Sequence, residues 1–326
     1  IGLGIPAEPL FRSSEISSLF GGKSSEEKQA ATQEEKNFDT LKYDGIRARN
    51  IHQLPYAIKC FENAIRLKEE PETMMLLANA YLQTDATDDA RTTLDRLVEI
   101  QPDHLENLLA LARVCYLQAD YKSMDIACQK AIKLDEMNAT SYYMAAQAYR
   151  GLQNPIQAIV MLTKAIVLNE NYLEAYLLRA EVLWDMRQAN DSLEDIEHVF
   201  TIHPDNEDAL LLKGKIQAAL GNKDAAFEAF NQVLENNPFN ENAYLLKGEL
   251  HIELKELDAA IENYTEAIEL MPENARLYQE RGRARLLKGD KEGSIEDMKK
   301  AISLDPEKEN LINGNFHNFE TPASPI

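Results

Sequence analysis

A repeat of 34 residues runs through most of this chain and restricts its possible folds more than any other feature. Three successive segments, which begin at Glu207, Glu241 and Ala275, align with one another without a gap. Stepping backwards by the same interval gives four earlier segments, and a one-residue slip gives the first segment at Phe38. The predicted units are therefore eight, at residues 38–70, 71–104, 105–138, 139–172, 173–206, 207–240, 241–274 and 275–308. Tandem units of this length are typical of stacked supersecondary structures.

Fixed positions within the unit keep the same chemical character. Position 8 is always glycine or alanine, at Gly45, Ala78, Ala112, Ala146, Ala180, Gly214, Gly248 and Gly282. Position 24 is larger and mostly apolar, with Phe61, Leu94, Cys128, Leu162, Ile196, Phe230, Tyr264 and Met298. Position 32 is proline at Pro102, Pro204, Pro238, Pro272 and Pro306, where a helix has to stop. Because apolar residues between these points recur at helical spacing, each unit predicts two helices joined by a turn. The chain therefore predicts an all-α fold.

This order of small, bulky and proline positions resembles the tetratricopeptide repeat (TPR) family. The resemblance covers about residues 38–308 and extends to position 20, which is small in most units. The sequence departs from the family pattern in having no tryptophan at position 4, and Arg or Lys occupies position 7 in four units. The resemblance implies a right-handed superhelical solenoid of antiparallel helix pairs, whose concave groove holds a peptide or helix of a partner protein.

Positions 5, 9 and 12 share one face of the first helix in each unit, and the resemblance implies that this face lines the groove. Trp184, Tyr116, Tyr143, Arg113 and Arg150 form the richest cluster there, because aromatic and arginine side chains dominate interface energies at about 2 kcal/mol or more per hot spot. The predicted groove residues are Met75, Asn79, Leu109, Arg113, Tyr116, Tyr143, Gln147, Arg150, Leu177, Glu181, Trp184, Lys215, Glu249, Arg276 and Arg283.

Two alternatives to a binding role stay open at this stage. The leucines at position 5 fit equally well as core residues that pack against the next helix. The basic helix of the last unit, with Arg276 and Arg283, fits an end helix that forms internal ion pairs as well as a site for an acidic tail.

Composition excludes several function classes. The net charge of −21 disfavours nucleic acid and anionic membranes as main partners. No apolar run is long enough to span a bilayer. The six histidines and three cysteines form no metal-binding motif, and no nucleotide-binding or catalytic motif occurs. We therefore predict a protein that is not an enzyme and uses no cofactor or metal.

The two ends differ from the repeats. Residues 1–37 are rich in Ser, Gly, Glu and Lys and predict a disordered segment. Residues 309–326 predict a tail in which Leu311, Ile312, Phe316 and Phe319 fold back as a cap over the last unit. Reduced, core-facing cysteines predict a cytoplasmic protein, with a removed signal peptide as the alternative because the first residue is Ile1.

The predicted function is that of a scaffold or adaptor, which binds a protein or peptide partner whose identity the sequence does not specify. One alternative is a regulatory or substrate-presenting subunit of an enzyme on another chain. A further alternative is an envelope-associated assembly factor.

Overall fold

The computed structural model describes residues 25–306, with side chains from Lys28 onward. Within that range the chain forms sixteen α-helices and no strand. They are α1 (Ser25–Asn50), α2 (Leu54–Leu67), α3 (Pro71–Gln83), α4 (Thr87–Ile100), α5 (Leu105–Leu117), α6 (Tyr121–Leu134), α7 (Ala139–Gly151), α8 (Pro155–Leu168), α9 (Leu173–Asp185), α10 (Ala189–Ile202), α11 (Glu207–Ala219), α12 (Lys223–Asn236), α13 (Glu241–Glu253), α14 (Leu257–Leu270), α15 (Ala275–Lys288) and α16 (Lys291–Leu304).

The helices form two compact units, and the division falls after Met161, inside α8. In the first unit, each helix from α1 to α7 packs against the next along the chain, and α5 also contacts α7. The second unit follows the same rule from α9 to α16, with further contacts between α9 and α11, α11 and α13, and α13 and α15. Each repeat thus buries its apolar face against its neighbours in the same unit, as stacked hairpins must.

The turn between the two helices of a repeat has the same backbone geometry in all eight repeats. Position 15 adopts a positive φ at His52, Asp85, Ala119, Gln153, Arg187, Gly221, Lys255 and Gly289. The following N–H donates to the carbonyl five residues earlier, as Asp120 N does to Cys115 O at 2.9 Å. This is a Schellman cap, which satisfies carbonyls left free at the helix end. Only two of these residues are glycine, so composition alone does not reveal the turn.

The first helix of several repeats begins with an asparagine cap. The side chains of Asn138, Asn206 and Asn240 accept hydrogen bonds from the N–H three residues on, at 2.8, 2.9 and 2.9 Å. Asn274 caps α15 in the same way. Such a cap satisfies one of the four N–H groups that a helix start leaves without a partner.

The small residue at position 8 makes room for the side chain at position 24 of the same repeat. A Cβ atom added at Gly45 would lie 2.5 Å from Cε1 of Phe61, and one added at Gly214 or Gly248 would lie still closer to the ring of Phe230 or Tyr264. All three rings are fully buried. The space that position 8 leaves is therefore occupied by a large side chain of the second helix.

The structure differs from the sequence prediction at the start of the array. Helix α1 begins at Ser25, inside the segment predicted to be disordered, and residues 28–37 are exposed on every side. The reason is local propensity, because Glu, Lys, Gln and Ala favour extension of the helix that Phe38 anchors in the core. The predicted cap residues Leu311, Ile312, Phe316 and Phe319 lie outside the described residues.

Candidate functional site

The first unit presents a mixed aromatic and basic surface on α5 and α7, which we call the α5–α7 face. It consists of Leu109, Arg113, Tyr116, Tyr143, Gln147 and Arg150. Both arginines are exposed, and 44% of the Tyr116 surface is accessible. The other three residues are half-buried. The two helices contact each other, so these side chains lie on neighbouring helices of the first unit.

One cation on the α5–α7 face makes no polar contact with the described residues. The Gln147 side-chain amide donates to the Tyr143 hydroxyl at 3.4 Å. The ring of Tyr116 meets Tyr121 edge-on, with centroids 6.2 Å apart. Among the described residues, Arg113 has no hydrogen-bond or ion-pair partner. Its guanidinium is therefore available to a carboxylate from outside the chain. Earlier in the same unit, α3 contributes half-buried Met75 and exposed Asn79.

The second unit places the remaining predicted residues in less uniform surroundings. On α9, Leu177, Glu181 and Trp184 are half-buried. Lys215 is exposed and Glu249 is half-buried. The next two leucines at position 5, Leu211 and Leu245, are only 8% and 9% exposed and belong to the core.

The basic helix α15 has carboxylate partners within the chain. Arg283 Nη2 lies 2.5 Å from Glu249 Oε2, and its Nη1 lies 3.1 Å from Glu280 Oε2. Arg276 lies 4.0 Å from Glu241. Arg283 is thus closely paired within the chain, whereas the contact of Arg276 is long and exposed. An acidic ligand would have to displace the internal pairs of Arg283.

The arginines at position 7 form internal ion pairs, a structural role that the sequence did not predict. Arg179 Nε and Nη2 donate to the carboxylate of Asp195 at 2.8 and 2.6 Å, and its Nη1 donates to Thr163 Oγ1 at 3.0 Å. Arg281 repeats this arrangement three repeats later with Asp297 and Thr265. The bonds with Asp195 raise the pKa of Arg179. The signal in the sequence is the joint occurrence of Arg at position 7 and Asp at position 23.

The three cysteines are buried and not bonded to one another. Burial raises the pKa of the Cys115 thiol to about 11 and that of Cys128 to about 12. Both thiols are therefore protonated at neutral pH and are poor nucleophiles.

The described part of the chain contains neither a metal-binding cluster nor a membrane-spanning helix. Across residues 28–306, no three His, Cys, Asp or Glu side chains are grouped closely enough to hold a metal ion. No helix between residues 25 and 306 is both long and apolar enough to cross a lipid bilayer.

Models of the tetratricopeptide repeat family match several stretches of the chain. The models described as tetratricopeptide repeat match residues 54–122, 177–241, and both 139–172 and 275–308. A model described as TPR repeat matches residues 248–289. A search of curated protein sequences found no match.

Solved structures share the fold at low sequence identity. A tetratricopeptide repeat protein from Parabacteroides merdae ATCC 43184 is 19% identical, with a TM-score of 0.59 over 74% of this chain and 96% of that chain. The pilF protein of Pseudomonas aeruginosa is 16% identical, with a TM-score of 0.54 over 68% and 99%. A chain of the APC/C hetero-tetramer Cut9-Hcn1 is 13% identical, with a TM-score of 0.53 over 80% and 51%.

These likenesses concern the fold. Arrays of this kind generally act as non-catalytic scaffolds for protein–protein interaction. Each of the eight repeats has a small residue at position 8, a larger one at position 24 and the same turn. These recurring features agree with the family matches. The chain belongs to the tetratricopeptide repeat family.

Proposed function

We propose that this chain is a non-catalytic scaffold that binds a segment of a partner protein on the α5–α7 face of its first unit. The observation that carries the proposal is Arg113, an exposed cation with no hydrogen-bond or ion-pair partner in residues 28–306 of a protein of net charge −21. Acidic side chains are abundant in that range, so a cation that pairs with none of them there is available to a ligand. Arginine is also enriched at the energetic centre of protein interfaces.

The surroundings of Arg113 favour a particular kind of partner segment. Tyr116 and Leu109 share its helix face and offer apolar surface, while Gln147 and Tyr143 on α7 offer hydrogen-bonding groups. A partner segment with an isolated carboxylate next to apolar side chains satisfies all of these groups. A strongly acidic segment fits less well, because the net charge of the chain repels it at long range.

The second unit contributes a separate candidate contact around Trp184. Tryptophan is the residue type most enriched among interface hot spots, and this is the only one in the chain. It is half-buried on α9, on the same helix face as Leu177 and Glu181. We include these three residues in the proposed binding surface of the second unit.

Affinity capture followed by calorimetry tests the proposal. Partners captured from the native cell extract are identified, and their affinity is measured for wild type and for Arg113→Ala/Tyr116→Ala. Loss of two hot spots at about 2 kcal/mol each predicts a Kd weakened by at least roughly 100-fold. A separate Trp184→Ala variant tests the contact in the second unit.

The matched control is Lys130→Ala/Leu134→Ala, two exposed residues of α6 that lie outside the α5–α7 face. It should bind as wild type, and all variants should keep the wild-type circular dichroism spectrum. Equal affinity of the Arg113→Ala/Tyr116→Ala variant and wild type would show that the α5–α7 face is not the site. Weakened binding of the control would place the site on the second helices instead.

A further inference from the structure

One second helix, α8, carries apolar side chains on the side that faces solvent. Its inner side packs in the core, where Ala158 and Leu162 are fully buried. Its outer side exposes Ile156, Val160 and Val167, at 63%, 50% and 68% of their surface. A helix that is apolar on all sides is normally covered on all sides. Among residues 28–306, nothing covers the outer side of α8.

Four exposed residues form one line along the outer side, and we call them the α8 stripe: Ile156, Val160, Thr163 and Val167. Successive members are 4, 3 and 4 residues apart, which is the spacing at which one helix packs along another. All four lie on one uninterrupted helix, so their alignment follows from helix geometry. The hydroxyl oxygen of Thr163 accepts a hydrogen bond from Arg179 Nη1 at 3.0 Å, so a partner that covers the stripe does not leave this oxygen without a donor.

The positions of the α8 stripe, which are 18, 22, 25 and 29, are polar in the rest of the array. Each of the other seven repeats has charged residues at two or more of them. Position 22 is glutamate in each of the last four repeats, at Glu194, Glu228, Glu262 and Glu296. Helix α8, in contrast, contains no carboxylate, and Lys164 is its only charged residue. The repeat pattern therefore does not account for the stripe.

Electrostatic repulsion limits where a second copy of this chain can pack. Two chains of net charge −21 repel each other, and like charges that face each other across an interface add to that cost. If the second helices of repeats 5 to 8 met their own copies, glutamates at position 22 would be brought together. The α8 stripe avoids this cost because none of its four residues is charged.

The α8 stripe is also complementary to itself. Its spacing of 4, 3 and 4 is the same in both chain directions, and the midpoint lies between residues 161 and 162. When two copies of α8 pack antiparallel about a two-fold axis at this midpoint, Ile156 meets Val167 of the second copy, and Val160 meets Thr163 of the second copy. On the flank of the stripe, Lys164 then lies beside Gln157 of the second copy, so no like charges are opposed. An interface of this kind uses the same surface on both partners, as two-fold symmetry requires.

We propose that α8 is the contact surface of a homodimer, in which the α8 stripes of two copies pack antiparallel. Removal of the exposed aliphatic side chains from water is the driving force. The 14 residues of α8 span about 21 Å, so the contact is smaller than a standard protein interface. We therefore expect a reversible dimer with a Kd in the micromolar range, which higher salt strengthens by screening the net charge.

Sedimentation equilibrium of the full chain across the micromolar range tests the proposal. Wild type should follow a monomer–dimer equilibrium, and Val160→Glu should weaken it by at least roughly 100-fold, because two carboxylates would meet near the two-fold axis. The variant should stay folded, since Val160 is half exposed and repeats 5 to 8 have glutamate at the same position. The matched control is Phe239→Glu, which makes the same change in charge at a residue that is 62% exposed and outside α8. It should dimerise as wild type does.

A mixture of two variants tests the antiparallel arrangement. Val160→Glu and Val160→Lys should each be monomeric alone, because residue 160 lies close to residue 160 of the second copy. Mixed in equal amounts, they should form a heterodimer in which the two new charges attract. Circular dichroism of each variant should match that of wild type.

Three results would overturn the proposal. A wild-type chain that stays monomeric throughout the micromolar range would show that the α8 stripe does not bind a second copy and would assign it to a different protein. Equal dimerisation of Val160→Glu and wild type would place the dimer contact on another surface. A mixture of the two charged variants that stays monomeric would contradict the antiparallel packing. None of these substitutions alters the α5–α7 face, so the result is independent of the proposed function.

Discussion

Position 8 and position 24 vary together along the chain. The repeats with glycine at position 8 carry Phe61, Phe230, Tyr264 or Met298 at position 24, whereas the repeats with alanine carry Leu94, Cys128, Leu162 or Ile196. The largest side chains at position 24 therefore accompany the smallest residue at position 8. This is expected for a close-packed interface between two helices, where added volume on one side has to be removed on the other.

Gly248→Ala should destabilise the protein despite the higher helix propensity of alanine. The new Cβ would overlap the ring of Tyr264, which is fully buried, so the ring would have to shift against its packed neighbours. Overpacking of this kind costs about 1–3 kcal/mol, against a propensity gain of about 1 kcal/mol. Because the overlap with the Tyr264 ring is severe, we expect a net loss near the upper end of this difference, about 2 kcal/mol in the free energy of unfolding, measured in urea.

A second substitution should rescue this variant. Gly248→Ala/Tyr264→Leu recreates the alanine–aliphatic pair of other repeats, and the Tyr264 hydroxyl forms no hydrogen bond with any described residue that would be lost. The double variant should therefore be more stable than Gly248→Ala alone. Glu253→Ala, an exposed substitution on the same helix, is the control and should change stability little. A Gly248→Ala variant as stable as wild type would contradict the pairing of positions 8 and 24.

The turn between paired helices requires a positive φ at position 15, and in most repeats the residue there is not glycine. Left-handed geometry costs an ordinary residue about 1–2 kcal/mol. Ala119 has a φ of 55° and Lys255 a φ of 61°, whereas Gly221 has a φ of 81°. The Schellman hydrogen bonds and the packing of the two helices therefore impose the conformation in repeats where the sequence does not favour it.

Ala119→Gly should stabilise the protein by about 0.5–1 kcal/mol, because glycine adopts positive φ without steric cost. Gly221→Ala is the matched reverse substitution. A Cβ at Gly221 would meet no atom within 4 Å, so any loss of stability there reports the backbone alone. Urea unfolding of both variants measures the two effects, which should be opposite in sign and similar in size. A stabilising Gly221→Ala would show that the turn is not strained.

The paired helices and the all-α fold were predictable from the sequence, because one hydrophobic pattern recurs at a fixed interval. The surroundings of individual side chains were not. Leu177 and Leu211 are both leucines at position 5 of their repeats, yet Leu177 is half-buried and Leu211 lies in the core. Likewise, the pairing of Arg283 with Glu249 depends on side-chain direction across a repeat junction, which a one-dimensional pattern does not contain. The binding role of the predicted groove residues stays a prediction.

The second unit should behave as a chain of locally coupled repeats, with stability distributed among nearest-neighbour interfaces. Two similar clusters allow this to be tested. Arg179–Asp195 lies in the first full repeat of the second unit, and Arg281–Asp297 lies in the last repeat, where Asp297 also accepts from Arg285 Nη1 at 2.9 Å. Both aspartates are almost fully buried, with side chains 6% and 4% exposed. Removal of either charge leaves a partly buried arginine without its counter-ion, a change that costs about 3–5 kcal/mol.

Asp297→Asn and Asp195→Asn should therefore open different lengths of the second unit in native-state hydrogen exchange. The last repeat has a neighbouring repeat on only one side among the described residues, so Asp297→Asn should speed amide exchange in α15 and α16 and leave α9–α12 unchanged. Asp195 lies in a repeat against which α11 packs, so Asp195→Asn should speed exchange in α9, α10 and α11 together. Asp258→Asn is the control. Asp258 pairs with Lys288, but its side chain is 83% exposed, so its loss should change amide exchange in none of these helices.

If Asp297→Asn instead raised exchange evenly from α9 to α16, the second unit would unfold as a single cooperative block. The periodic sequence would then describe its construction but not its energetics.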